Sequence, residues 1–431
     1  MSSHSEPVCI VGAGPGGLLA AAALKKRGIS FEIIDAGSQP GGIWDIDRPE
    51  TPMYESAHFI SSRTLSGLPG FPMPEEYADY PRHDRILAYI RSFAEHHDLV
   101  RHITLNRTVE TATRRRDGGW RISLDSGEER TCSALCVAAG TTWHPHLPDL
   151  PGDFSGEAYH SFSYRSPREF EGKRVLIVGG GNSATDIACD AARSADHAFI
   201  SLRRGYHFIP KYIFGQPADV FAHAGPQLPR WLEERLFGFL MNRILVGDLT
   251  QYGLPKPDHP ILRSHPILNT QILHHLGHGD LEARPDISAI DEGSVTFVDG
   301  TTEEIDLVIW ATGYEKRFPF LSDEDLDREG EVIDLYLNVF HRRHPDLFFV
   351  GVFETDGAAY GLYGEQVELI ASYLDTTLSA GAREVFDRSR TSDRTSLRGG
   401  VNYLATSRHD YYVKADAYHK ALRKAARALG I

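Results

Sequence analysis

The sequence predicts an α/β fold in which two similar strand–turn–helix–strand units share one chain, one of them inserted into the other. Three observations carry this expectation. A glycine turn follows an apolar strand at Gly12, a second turn follows another such strand at Gly179, and a long apolar strand at Ile305 to Trp310 then hands the chain back to further strand and helix segments. The turns lie 179 − 12 = 167 residues apart, too far for a solenoid repeat and suited to two separate domains. A length of 431 residues agrees, since it gives a prior of roughly two to three domains with cores of their own.

The elements follow in order. Pro7 to Val11 is an apolar run, Pro15 to Arg27 is alanine-rich and helical, and Phe31 to Ile34 is apolar again, which makes a βαβ unit. Gln39 to Pro81 is loop-rich, and a helix is expected near Asp84 to His97. Thr108 to Thr113 and Trp120 to Asp125, joined through Asp117-Gly118-Gly119, predict a hairpin. Ala134 to Ala139 ends in Gly140 and the proline-bearing exit His144 to Pro151. The βαβ order returns at Arg174 to Val178, Asn182 to Arg193 and Ala198 to Leu202. Pro210 to Pro266 is the least regular stretch and is expected to supply a lid or subunit contacts, with a homodimer as the expected assembly. After Trp310 come a strand at Leu347 to Val352, a helix near Gly364 to Leu378 and a closing helix within Tyr411 to Leu429.

The turns carry chemistry. Gly12-Ala13-Gly14-Pro15-Gly16-Gly17 satisfies G-x-G-x-x-G between a strand and a helix, and Asp35 ends the next strand. Glycines permit a tight turn and close approach of a pyrophosphate to a positive helix terminus, while an acid at Asp35 accepts hydrogen bonds from a ribose and disfavours a 2′-phosphate. FAD or NAD is expected there. Gly179-Gly180-Gly181-Asn182-Ser183-Ala184 keeps the spacing with alanine last, and its second strand leads into Arg203-Arg204, the guanidinium pair that a 2′-phosphate requires. NADPH is expected there. The fold class is thus two Rossmann-like dinucleotide-binding domains, and two turns of different preference imply hydride passing from one cofactor to the other.

Composition excludes several other classes. The net charge is −14 and the longest basic run is only Arg114 to Arg116, which argues against nucleic-acid binding. No stretch reaches the roughly 18 apolar residues of a membrane span, and the short polar start, Met1 to Glu6, leaves no room for a signal peptide. Cys9, Cys132, Cys136 and Cys189 contain no C-x-x-C and are expected to be reduced, packed thiols, so a disulfide reductase of the same two-turn plan is excluded and a cytoplasmic location is expected.

Phe154 to Tyr164, just before the second turn, fits F-x-G-x-x-x-H-x-x-x-Y through Phe154, Gly156, His160 and Tyr164. Here the sequence resembles the flavin-containing monooxygenases, whose identifying motif this is. Tyr164 separates it from the Baeyer–Villiger enzymes, which usually carry tryptophan there. The resemblance spans nearly the whole chain. Gly41-Gly42-Ile43-Trp44 resembles the family's second flavin loop, Asp306 to Tyr314 with Gly313 its return strand, and Glu365-Gln366 the start of its flavin-side helix. It implies an FAD unit in residues 1–168 and 314–431, with the NADPH unit inserted at 169–313. It also implies that NADPH reduces FAD and that O2 then forms a flavin 4a-hydroperoxide, which oxygenates a soft nitrogen or sulfur centre of an amine, sulfide or indole-like molecule. The flavin carries the chemistry, so no acid–base triad is expected. Ketone oxidation, or an NADPH oxidase or flavin sensor without organic substrate, are the alternatives.

The chain departs from the family at one place. Where the resemblance puts a flavin-face asparagine this sequence has Ile60, with His58 and Ser61 as candidate substitutes and plain pocket wall as the other reading of Ile60.

Overall fold

The computed structural model describes residues 6–224, 230–330 and 332–431. Strand Val8–Val11, buried at every position, runs into Gly12; helix Pro15–Lys26 follows, and Phe31–Ile34 returns in parallel register with Val8 opposite Phe31. The seven-stranded sheet has the order Leu335–Tyr336, Phe340–His341, Leu347–Phe349, Ala134–Val137, Val8–Val11, Phe31–Ile34, Ile103–Thr104. Its last five strands are parallel.

The strand period of two sorts its side chains between two cores. Val8 and Ile10 face helices Pro15–Lys26, His83–His96, Ala359–Leu374 and Ala415–Ala428, while Cys9 and Val11 face Trp120, Ile122 and Cys132 of a three-stranded meander. That meander contains the expected hairpin, Val109–Arg114 with Trp120–Leu124, and adds Glu129–Cys132. All four cysteines are buried and unpaired.

The second unit repeats the plan. Its five parallel strands run in the order Glu282–Arg284, His197–Ser201, Arg174–Val178, Leu307–Trp310, Glu157–His160. Val175 and Ile177 pack beneath helix Asn182–Ser194, whereas Leu176 and Val178 pack on the meander Ile287–Asp291, Ser294–Phe297, Thr302–Glu304. Strand Glu157–His160 lies in this sheet although it precedes residue 168. The segments leading into and out of this unit pair with each other, His144–Pro145 antiparallel to Tyr314–Glu315, and the Thr312 hydroxyl donates to the His146 carbonyl at 2.5 Å.

Two helices differ from expectation. Ala359–Leu374 starts five residues early, because Tyr360 and Leu362 of its first turn are buried in the core it shares with Pro15–Lys26, and it stops at Asp375, whose carboxylate accepts from the Thr377 N–H at 2.8 Å. Ala380–Ser392 is a helix that polar composition concealed; it inserts Phe386 into the core and buries Arg390, which donates to the carbonyls of His341 and Arg342.

His341 is fully buried and its ring stacks on His344 at 4.7 Å. Burial, with His344 beside it, pushes its pKa down to about 4 from 6.5. A depressed base stays neutral in the fold while the unfolded chain binds a proton. Stability is therefore full above pH 6.5, declines below it and has lost His341's share once pH passes about 4. That share is about 3 kcal/mol. We expect the unfolding midpoint in denaturant to fall steeply across that window, and His341→Gln to flatten the dependence.

Candidate active site

Each turn is built by steric necessity. Gly12 has φ +109 and Gly179 φ +132, and a Cβ on either would overlap a backbone carbonyl of the neighbouring strand end, that of Ala138 or of Ala311. A Cβ on Gly17 would overlap the Gly12 carbonyl, whereas the second turn accommodates buried Ala184 in the matching place. Both following helices have glycine at the N-cap, Gly14 and Gly181, and neither has a side-chain cap. Their first N–H groups are thus left for an anion.

Around the first turn, Gly42 meets Gly14 so closely that a Cβ on Gly42 would lie 3.0 Å from the Gly14 Cα. Buried Asp35 accepts from the N–H of Ala13 and of Gly37, both at 2.6 Å, and Arg48 pairs with it at 3.3 Å. Oδ2, which accepts only from Ala13, retains acceptor capacity for a ribose hydroxyl, whereas Oδ1 is taken by Gly37 and Arg48. Around the second turn, Arg203 and Arg204 make no ion pair with a described residue, and the buried Nε of Arg204 has no hydrogen-bond partner. A dianionic phosphate would answer that deficit.

One cavity of about 1940 Å³ joins the turns. Gly12, Gly14, Pro15, Gly16, Asp35, Gly42, Ile43, Trp44 and Gly313 line one part of it. Gly179, Gly181, Asn182, Ser183, Ala184, Arg203 and Arg204 line another, and His58, Ile60 and Ser61 also line it. The Trp44 indole donates to the Tyr360 hydroxyl at 3.0 Å, and both rings pack on Phe59. The residues present fit two dinucleotides, because glycine cradles, uncapped helix ends, one acid and two unpaired guanidinium groups all face one space.

Three expected flavin residues do not line that space. Ala13 and Gly17 support the turn from beneath, and Gln366 is fully buried, accepting from the Gly351 N–H at 3.0 Å and donating to the Tyr418 hydroxyl at 2.7 Å. Gln366 acts on the cavity through Gly351, which lines it.

Nor do the four motif residues line the cavity. Phe154 packs with Ile290, and a Cβ on Gly156 would collide with the Phe154 ring and the Asp306 carbonyl. His160 accepts from the Phe162 N–H at 3.0 Å, and burial pushes its pKa down to about 4. Tyr164 is wholly buried, lies flat on Phe170 and donates to Asp190 of helix Asn182–Ser194 at 3.0 Å. Ser56 donates to the same carboxylate and Tyr54 to Asp186 at 3.4 Å, so the loop around Tyr54 and the motif tyrosine together hold the back of the second-turn helix. Burial raises the pKa of both Asp186 and Asp190. We expect Tyr164→Phe, which leaves Asp190 one donor short, to cost about 1–3 kcal/mol of stability while leaving KM for NADPH nearly unchanged, as thermal melts and initial rates would show.

The sequence reading missed Arg408. It arrives from the C-terminal segment and places Nη1 3.6 Å from where a Gly181 Cβ would stand, at the second helix end. Its Nε donates to Glu354 at 3.1 Å, and Lys316 pairs with the other oxygen at 3.4 Å. Burial pushes the Glu354 pKa up, but Arg408 and Lys316 outweigh it and hold the carboxyl below its usual value.

Comparisons agree with this geometry. The family profile described as flavin-binding monooxygenase-like matches residues 5–420. Dimethylaniline monooxygenase (N-oxide-forming) 2 of Rattus norvegicus is 31% identical over 380 residues, covering 82% of this chain and 70% of its own. Flavin-containing monooxygenase 1 of Mus musculus is 31% identical over 437 residues, covering 95% and 81%. Among solved structures, S-allyl-L-cysteine S-oxygenase from Allium sativum superposes with a TM-score of 0.68 at 22% identity, over 99% of this chain and 89% of that one. A steroid monooxygenase bound to NADP superposes with 0.72 at 20%, over 99% and 98%. The shared fold, the two glycine turns and these relatives place the chain in the flavin-binding monooxygenase-like family, as an FAD- and NADPH-dependent monooxygenase.

Proposed function

We propose that this enzyme transfers one atom of O2 to a soft nitrogen or sulfur centre of a small molecule, with NADPH and a proton reducing the other atom to water. The observation that carries this reading is the continuity of one cavity from the uncapped helix at Pro15 to that at Asn182. FAD would be held by Gly12 and Gly14 to Gly16, with Ala13 and Gly17 shaping the turn, by Asp35 at a ribose, and by Gly42 to Trp44 with Gly313. NADPH would be held by Gly179 to Ala184, by Arg203 and Arg204 at the 2′-phosphate, and by Arg408. Bound FAD supplies hydride acceptance and oxygen activation. The chain's own share is to position both nucleotides and exclude water with the Trp44, Phe59 and Tyr360 wall. We assign residues 1–168 and 314–431 to the FAD unit, less the strand Glu157–His160, which goes with 169–313 to the NADPH unit. The N-oxide-forming relatives support nitrogen as an acceptor.

The NADPH oxidase reading is favoured by one observation. Ile60 lines the cavity, while the Ser61 hydroxyl is engaged by that of Ser66 at 2.7 Å and the His58 ring by the Ser56 carbonyl at 2.8 Å. Turnover with an aryl dimethylamine and an aryl methyl sulfide separates the two, by comparing NADPH consumed with oxygenated product and hydrogen peroxide released. We expect product to exceed peroxide, and Ile60→Asn to lower the peroxide share severalfold. Stoichiometric peroxide with no product from either substrate would leave the oxidase reading standing.

A further inference from the structure

The strand end that carries Arg203 and Arg204 runs on into a segment clamped to residues 256–267. A Cβ on Gly205 would collide with the peptide that joins Lys256 to Pro257, and the Ile209 N–H donates to the Ile267 carbonyl at 2.8 Å. Within 256–267 three side chains form a continuous chain of hydrogen bonds. Asp258 Oδ1 is 2.7 Å from His259 Nδ1, and His259 Nε2 is 2.8 Å from Ser264 Oγ. Asp258 is 72% exposed and the His259 side chain 5%, and of the three only Ser264 lines the cavity. The chain therefore runs from solvent to the coenzyme space and ends there in a hydroxyl.

Arg204 acts on both ends of this chain. The Asp258 pKa is lowered by the bond from His259 and, at longer range, by Arg204. His409, whose Nε2 accepts from the N–H of His265 next to Ser264 at 3.4 Å, has its pKa pushed down to about 4 by burial and then by Arg408 and Arg204. His207 donates from Nε2 to the His259 carbonyl at 2.7 Å, and burial pushes its pKa down, so it brings no charge. Around His259, then, Asp258 favours a second proton on the ring and Arg204 opposes it.

The carboxylate keeps a proton on Nδ1 in either state, so Nε2 decides which way the Ser264 hydrogen points. With Nε2 bare, the hydroxyl donates to the ring and turns its lone pairs to the cavity. With Nε2 protonated, the ring donates and the hydroxyl hydrogen is free to point into the cavity. In nucleophilic enzymes the same order of groups draws the proton off the serine. Beside Arg204, whose buried Nε has no hydrogen-bond partner, the ligand is an anion, and an anion calls for the opposite polarity. A phosphate on Arg204 also cancels the charge that opposes the second proton.

We propose that Ser264 is a further donor to the 2′-phosphate of NADPH, switched on when His259 takes up a proton, so that coenzyme binding and protonation favour each other. This rests on the reading of Arg203 and Arg204 as the 2′-phosphate site. His259 acts through Ser264 and is a positioning residue. Affinity for NADPH then falls as pH rises, whereas NADH, which lacks that phosphate, shows no such trend.

The test is calorimetric titration of the FAD-loaded protein with NADP+ and with NAD+, each in two buffers of different ionisation enthalpy, which counts the protons taken up on binding. The wild type is expected to take up more proton per NADP+ than His259→Gln does, and to lose NADP+ affinity more steeply as pH rises. Ser264→Ala should weaken NADP+ binding roughly tenfold and leave NAD+ binding unchanged, since one charge-assisted hydrogen bond is lost. Flavin content and absorbance equal to those of the wild type check the fold of each variant. Equal proton uptake by wild type and His259→Gln, with tighter binding of NADP+ than NAD+ retained, overturns the switch and leaves the arginine site standing. Ser264→Ala that weakens both coenzymes alike overturns it too, by placing the hydroxyl at the pyrophosphate they share. A wild type that binds both coenzymes equally removes the 2′-phosphate site itself, and the proposal with it.

Discussion

Gly17→Ala is expected to yield protein that purifies nearly devoid of flavin, read as the ratio of flavin to protein absorbance. The added methyl would fall on the Gly12 carbonyl oxygen, with the Ile10 side chain 3.3 Å away. Overpacking ordinarily costs about 1–3 kcal/mol because side chains can shift. Here the obstacle is backbone, and moving it opens the turn that receives the pyrophosphate. The second turn supplies the control. Ala184 already sits buried at the equivalent place, so Ala184→Gly should cost only about 1 kcal/mol in helix stability and keep both cofactors. Retention of full flavin by Gly17→Ala would mean that the first turn does not hold it.

Replacing both Arg203 and Arg204 by alanine should raise KM for NADPH by roughly 10- to 150-fold, since charge-assisted hydrogen bonds contribute about 1.5–3 kcal/mol. KM for NADH should barely move, because only NADPH carries the 2′-phosphate. Arg408→Ala is expected to behave differently and weaken both coenzymes alike, since its guanidinium stands at the helix end near Gly181, where the pyrophosphate common to both would lie. Measuring both coenzymes across the three variants distinguishes the phosphate that each arginine meets. Unchanged preference in the double variant would move the 2′-phosphate elsewhere.

The features legible in the sequence are those imposed by local sterics. Gly12 and Gly179 had to be glycine, strands that alternate between two cores had to be apolar throughout, and both were read without coordinates. The motif from Phe154 to Tyr164 was equally visible, yet its work was not. Tyr164 finds its partner, Asp190, on another element, and only folding shows that it secures the second-turn helix from behind and never reaches the cavity. Arg408 was beyond reach for a simpler reason. It lies 408 − 181 = 227 residues from the turn it faces, on a stretch with no periodicity to flag it.

The paired connections, His144–Pro145 against Tyr314–Glu315, have a mechanical consequence. Two independent tethers would let one unit slide, tilt and spin over the other. Hydrogen-bonded into a ribbon, they flex across its face far more readily than they shear along its length. Any turn about the ribbon would also have to break the bonds of Tyr54 to Asp186 and of Ser56 to Asp190, so ribbon and loop together hold the two glycine turns at a fixed spacing.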